Sequence, residues 1–146
     1  MKIRQISIFL ENKPHQLSVL CRALADAKIN LITLSLADTA DFGIVRLIVS
    51  DVDASRRILA DRGFAVNVCD VVAVCVPDRP GGMAGVMEAL DVAGVNIEYS
   101  YALDVDKTTK EAVIVFRFSD NDRAEASLAQ AGYRTIEEKS VSEASK

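Results

Sequence analysis

The chain repeats itself, and no other feature limits its possible folds as strongly. Shifted by 66 positions, Pro14 falls on Pro80, Leu24 on Leu90, Ala27 on Ala93 and Asn30 on Asn96. Conservative pairs fill the gaps: Lys13 with Arg79, Leu17 with Met83, Leu20 with Val86, Ile29 with Val95 and Leu31 with Ile97. Further on the offset becomes 69, matching Ser50-Asp51 to Ser119-Asp120, Asp53 to Asp122, Leu59 to Leu128, Gly63 to Gly132 and Phe64 to Tyr133. The second copy therefore carries a longer hairpin loop, and the polar run Asp104–Lys110 is where the extra residues fit. A length of 146 allows one ordinary domain or two small ones. The duplication selects two, residues 1–69 and 70–146, with a boundary near Cys69-Asp70.

Each copy reads βαββαβ, which predicts an α+β fold. In the first, strands are expected at Ile3–Leu10, Ile29–Ala37, Gly43–Ser50 and Ala65–Val68, with helices at Gln16–Ala27 and Asp53–Arg62. The first helix rests on an apolar stripe, Leu17, Leu20, Cys21 and Leu24, which returns as Met83, Val86, Met87 and Leu90. Gly63 and Gly132 stand just past the second helices, where a positive φ is wanted. Asp53 and Asp122 stand at the starts of those helices, where a carboxylate favours the dipole and can cap.

Alternation along the strands predicts antiparallel sheets with helices on one face. Ile6, Ile8, Leu10, Val45, Leu47 and Val49 should face the helices, as should Val72, Val74, Val76, Ile114, Phe116 and Phe118. The other face carries Phe9, Ile44, Ile48, Ala73, Cys75, Val113 and Val115, with Arg46 and Arg117 among them. That is too apolar for water, so a covering sheet or subunit is expected. A unit of ~70 residues is also marginal alone, which favours pairing of copies and of chains.

The segments after the first strand of each copy are the most informative. They read Glu11-Asn12-Lys13-Pro14-His15-Gln16-Leu17 and Pro77-Asp78-Arg79-Pro80-Gly81-Gly82-Met83. Proline suits the first turn of a helix because it lacks an N–H. Gly81 and Gly82 leave backbone N–H groups accessible, and an uncapped helix start suits a carboxylate. The same Pro-Gly pair also suits a plain tight turn.

Taken together, these turns, the LxxLCxxL stripe and the following K-I-N-L or G-V-N-I resemble the ACT domain. That family carries an Asp/Asn-x-Pro-Gly-x-Leu turn and, after the helix, a Gly-x-Asn-Ile strand start. Copy two matches through Asp78, Pro80, Gly81, Met83, Gly94, Asn96 and Ile97. Copy one departs at His15 and Lys28, where glycines are usual, and an imidazole there would fill space a ligand uses. The resemblance covers about residues 2–69 and 70–140 and is to stand-alone tandem ACT proteins without a catalytic domain.

It implies a ferredoxin-like fold, a regulatory role, and a small ligand, usually an amino acid, held at an interface between ACT units. Carried onto this chain, the ligand residues are Asp78, Arg79, Gly81, Gly82, Met83 and Asn96 in copy two. In copy one they are Asn12, His15, Gln16, Leu17 and Asn30. N–H groups from Gly81 to Met83 would take the α-carboxylate, an Asn96 or Asn30 amide either polar end, and Asp78 the ammonium.

Other chemistries fit poorly. His15 is the sole histidine, and no cysteine partners it: Cys21 lies on the helix stripe. Cys69 and Cys75 are six residues apart on one strand, roughly 20 Å, too far for one metal. Neither catalysis nor a metal or other cofactor is expected. Nucleic acid is not expected either, because the central strands lack the exposed aromatics of RNA-binding sheets. The net charge of −4 argues the same way and is uneven: +2 over residues 1–69 and −6 over 70–146.

The start MKIRQISIFLEN is too polar for a signal peptide, and no apolar run approaches bilayer length. Three cysteines without a CxxC suit reduced thiols. A cytoplasmic homodimer or higher assembly, with a metabolic enzyme as a possible partner, is the expectation. The alternative is a protein-interaction scaffold, or a regulatory subunit of a metabolic enzyme, without a ligand of its own. Tyr99 and Tyr101 share a strand face, suited to a pocket or to packing, and the tail Ser140–Lys146 is expected to fray.

Overall fold

The computed structural model describes residues 2–38, 41–103 and 110–144. Most of the expected loop insertion, residues 104–109, lies outside them. The chain divides into two compact units, one of Arg4–Cys69 and one of Asp70–Ala144 that also takes in Lys2 and Ile3.

The first unit contains β1 (Ile3–Glu11), α1 (Gln16–Asp26), β2 (Leu31–Asp38), β3 (Phe42–Val49), α2 (Val52–Asp61) and the beginning of β4 (Ala65–Pro77). The second continues from β4 through α3 (Gly82–Ala93), β5 (Ile97–Leu103), β6 (Glu111–Phe118), α4 (Asn121–Gln130), β7 (Thr135–Ile136) and α5 (Glu138–Ala144). Strand order is β2-β3-β1-β4 in the first and β7-β4-β6-β5 in the second, so both are ferredoxin-like α+β units.

The two offsets reproduce the strand ladders pair by pair. Ile6 lies opposite Leu47 and Ile8 opposite Val45; Val72 lies opposite Phe116 and Val74 opposite Ile114. Even the irregularity in β2 between Leu31 and Thr33 returns in β5 between Ile97 and Tyr99. A slip of one residue would turn each apolar set away from the helices, so the alternation fixes the register. Each helix-side face then closes its own core. One joins Ile6, Ile8, Val45 and Leu47 to Leu20, Leu24 and Leu59. The other joins Val72, Val74 and Phe116 to Val86, Leu90 and Leu128.

Gly63 and Gly132 take φ of 84° and 85° past α2 and α4, as their positions require. The caps are different from those expected. Asp51 and Asp120, not Asp53 and Asp122, cap these helices, accepting from the N–H of Ala54 and Arg123 at 2.9 and 3.0 Å. The helices begin at Val52 and Asn121, which puts Asp53 and Asp122 inside the first turn. There Asp53 pairs with Arg4 at 3.2 Å and Asp122 with Lys2 at 2.5 Å.

Two further expectations change. Ile48, Ala73, Cys75 and Val115, on the face opposite the helices, are already buried within the chain, whereas Phe9 is 55% exposed. Only part of that face lacks cover. The tail does not fray from Ser140: Glu138–Ala144 forms α5, anchored by Val141 at 1% exposure. A single buried valine holds a segment that looks polar in composition.

Candidate functional site

In copy two, β4 ends at Pro77 and the chain reverses tightly into α3. The Arg79 N–H donates to the Pro77 carbonyl at 2.9 Å, and that of Gly82 to the Arg79 carbonyl at 3.0 Å. The Asp78 N–H ties the turn to the start of β6 through the Lys110 carbonyl, also at 3.0 Å. Gly81, the residue before the helix, sits at φ 84° and ψ −9° with open space where a Cβ would stand. Gly82 is required for a different reason, since its Cβ would lie 1.9 Å from the Pro77 carbonyl oxygen. Both glycines serve the turn itself, and the Gly82 N–H is committed to Arg79. It is therefore not open to a ligand carboxylate as the sequence had implied. Asp78, Arg79 and Met83 remain exposed around this turn.

Copy one builds the same turn without glycine. The Lys13 N–H reaches the Glu11 carbonyl at 2.8 Å, and the Asn12 N–H reaches that of Asp41 at 3.1 Å. His15 takes φ 73° and ψ −9°, the conformation of Gly81, and Lys28 takes φ 58° where Gly94 has 62°. Both departures from the family pattern therefore preserve the backbone and change only the side chain. A carboxylate–ammonium pair, Glu11 with Lys13 at 2.5 Å, stands beside the turn and raises the lysine's pKa.

Two cavities flank the start of α1. One, of about 340 Å³, is lined by Asn12, Gln16 and Leu17, with Leu10, Glu11, Lys13, Leu36 and Gly43. The other, of about 440 Å³, includes His15 and Gln16. His15 does not line the cavity formed by Asn12 and Leu17, so its imidazole does not fill that space. Leu36 and Gly43 were missed by sequence reasoning. A Cβ on Gly43 would come within 3.3 Å of the Leu36 side chain, so the small residue leaves that wall its room. An apolar residue followed by glycine across a hairpin is the signal that could have found them.

Asn30 and Asn96 lie elsewhere. Each immediately precedes a strand, β2 or β5, and each is clamped through its backbone. The Asn30 N–H donates to Ser50 Oγ at 3.0 Å and the Ser50 N–H to the Asn30 carbonyl at 3.0 Å. Asn96 and Ser119 repeat the exchange at 3.0 and 2.9 Å. Helices of 11 and 12 residues separate these asparagines from their turns. At 1.5 Å per residue that is about 16–18 Å. Within one unit the turn and the asparagine cannot touch the same small ligand. Their side chains are exposed.

Among the described residues, no group of three His, Cys, Asp or Glu could hold a metal ion. Burial pushes the Cys75 thiol above its ordinary pKa, against a smaller opposing effect of Arg134, which disfavours a nucleophilic thiolate. No described helix is long and apolar enough to cross a membrane.

The family model of an ACT domain pair matches residues 1–145. Among solved structures, protein BT0572 from Bacteroides thetaiotaomicron is 38% identical, with a TM-score of 0.88 over 97% of this chain and 96% of that one. The ligand-free regulatory subunit of aspartate kinase from Thermus thermophilus is 18% identical, with a TM-score of 0.59 over 88% of this chain and 91% of that one. The corresponding subunit from Thermus flavus is also 18% identical, with a TM-score of 0.56 over 88% and 92%. No protein of curated function matches. Two ladders in the same register, two turns of the same backbone and two Asn–Ser clamps account for the match along the whole sequence: the chain belongs to the ACT-domain family, as an ACT domain pair.

Proposed function

We propose that this ACT domain pair is a non-catalytic regulatory protein that binds an amino acid or similar small molecule between ACT units. The observation that carries the reading is the separation of turn from asparagine. A site using both must take the turn from one unit and the asparagine from another. Edge strands offer the means. β2 closes one sheet and β5 the other, and β2 carries no Lys, Arg or Pro to blunt its free edge. Leu34 and Leu36 are exposed along it. Antiparallel pairing of such an edge with its counterpart in a second chain would lay an Asn-bearing strand start beside Leu36 and the Asn12–Leu17 turn.

The residues we assign are Asn12, Gln16 and Leu17 with Asn30 in the first copy. In the second they are Asp78, Arg79, Gly81 and Met83 with Asn96. His15 and Gly82 contribute backbone geometry. Bound ligand would favour the paired arrangement by its differential affinity, which is the physical content of regulation. The Thermus neighbours, regulatory subunits of aspartate kinase, support this reading by analogy.

The test is thermal unfolding of the full chain with each of the twenty amino acids, alongside sedimentation. A ligand at 100 times Kd adds roughly 2.7 kcal/mol, raising Tm by about 6–10 °C for a chain of this size. Sedimentation should show a dimer. Flat melting for all twenty would reject the amino-acid reading and favour an interaction scaffold or an enzyme's regulatory subunit. A monomer at micromolar concentration would reject the shared site.

A further inference from the structure

We propose that the first unit carries a second small-molecule site, on the β4 side of α1, for a carboxylate with an apolar body. The cavity there, about 440 Å³, falls within the range of small-molecule sites. Its apolar surfaces come from Phe9, Val19 and Phe64, its cationic group is Arg62, and the His15 imidazole stands on the same wall. The one carboxylate on its wall, Glu11, is already held by Lys13 at 2.5 Å. No carboxylate among the described residues pairs with Arg62. A guanidinium without a carboxylate partner on a wall that also carries apolar residues suits an anionic head, which it can bind in two-pronged fashion, joined to an apolar body.

The second copy shows that this chemistry is not a by-product of the fold. At the aligned positions Phe9 becomes Cys75, Glu11 becomes Pro77, His15 becomes Gly81, Val19 becomes Gly85 and Arg62 becomes Ala131. There the ring aligned with Phe64, Tyr133, lies over Gly85, its hydroxyl 2.4 Å from where a Cβ on that glycine would stand. The glycine leaves room for that hydroxyl, whereas in copy one Val19 and Phe64 both stand on the cavity wall. One backbone thus carries charge and aromatic surface here in one copy and lacks the charged groups at the aligned positions in the other.

The experiment is an amide NMR titration of the full chain with 3-phenylpropionate, using acetate and phenethyl alcohol as head-only and body-only controls. Shifts should centre on Val19 and on Arg62 to Ala65. Affinity should fall about tenfold for either control and in Arg62→Gln, and partly recover in Arg62→Lys. Leu36→Ala, in the other cavity, should leave this binding unchanged. Absence of shifts at millimolar concentration, shifts centred on Leu36 and Gly43, or full affinity in a folded Arg62→Gln would each overturn the proposal. Because the probe lacks an ammonium and the site needs no second chain, its failure is separate from that of the shared amino-acid site.

Discussion

Adding a single methyl group at Gly81 or at Gly82 separates two reasons for a glycine that look alike in sequence. At Gly82 the new Cβ would lie 1.9 Å from the Pro77 carbonyl oxygen and 3.0 Å from its carbon. Both are backbone atoms, so relief requires the turn to open by more than an ångström. Opening it forfeits the Gly82–Arg79 hydrogen bond, about 1 kcal/mol, and overpacking adds about 1–3 kcal/mol. Alanine's better helix propensity returns about 0.5–1 kcal/mol, leaving a net cost of about 1–3.5 kcal/mol, centred a little above 2. At Gly81 nothing stands within 4 Å, and only the left-handed backbone resists. That costs about 1 kcal/mol once the stiffer unfolded chain is counted. Urea unfolding, extrapolated linearly, should place Gly82→Ala below Gly81→Ala by about 1–2 kcal/mol. Equal costs, or the reverse order, would refute the assignment of steric closure to Gly82.

Other consequences can be measured in the same way. Asp51→Ala and Asp120→Ala should each cost about 1 kcal/mol in urea unfolding, and Asp53→Asn clearly less, because only the former remove a cap. Val141→Ala should release α5, lowering stability by about 1–3 kcal/mol and speeding amide exchange across Glu138–Ala144. The buried Cys75 thiol should react with a thiol reagent only after Cys21 and Cys69. With its pKa raised on folding, the native state holds a proton that the unfolded chain releases. Stability should therefore fall as pH rises above 9.0, the thiol's ordinary value, and Cys75→Ala should remove that loss.

The duplicated βαββαβ pattern was legible because strand and helix periods are properties of the sequence itself. Ile6, Ile8 and Leu10 alternate, and Leu17, Leu20 and Leu24 recur at helical spacing, whatever surrounds them. What escaped depended on partners distant in sequence. Asp51 and Asp53 are equally acidic, and only the true start of α2 at Val52 decides which one caps. Nothing in Glu138–Ala144 announces a helix except one valine whose burial is tertiary. The site was half legible. The turn motif located the start of each first helix correctly, and the helix that separates the turn from Asn30 requires the two to come from different units if they share a ligand, a distance that spacing within one copy does not display. Leu36 and Gly43 needed the β2–β3 hairpin to be seen beside the turn.

The two copies also reveal what fixes the turn's shape. If glycine alone set the left-handed residue, His15 and Lys28 would have relaxed to ordinary helix ends, since each pays about 1–2 kcal/mol to stay. They do not, and the bonds around them give the reason. The Val19 N–H still reaches the His15 carbonyl at 3.0 Å, that of Lys28 the Ala25 carbonyl at 2.9 Å, and that of Ile29 the Leu24 carbonyl at 3.0 Å. These neighbours are held by β1, α1 and the buried Ile29, so the backbone between them has little freedom. His15→Gly and Lys28→Gly should therefore each stabilise the chain, by about 0.5–1 kcal/mol after the entropy of the freer unfolded glycine is deducted. If either substitution destabilises it, the left-handed residue is held by side-chain contacts and not by the strand and helix around it.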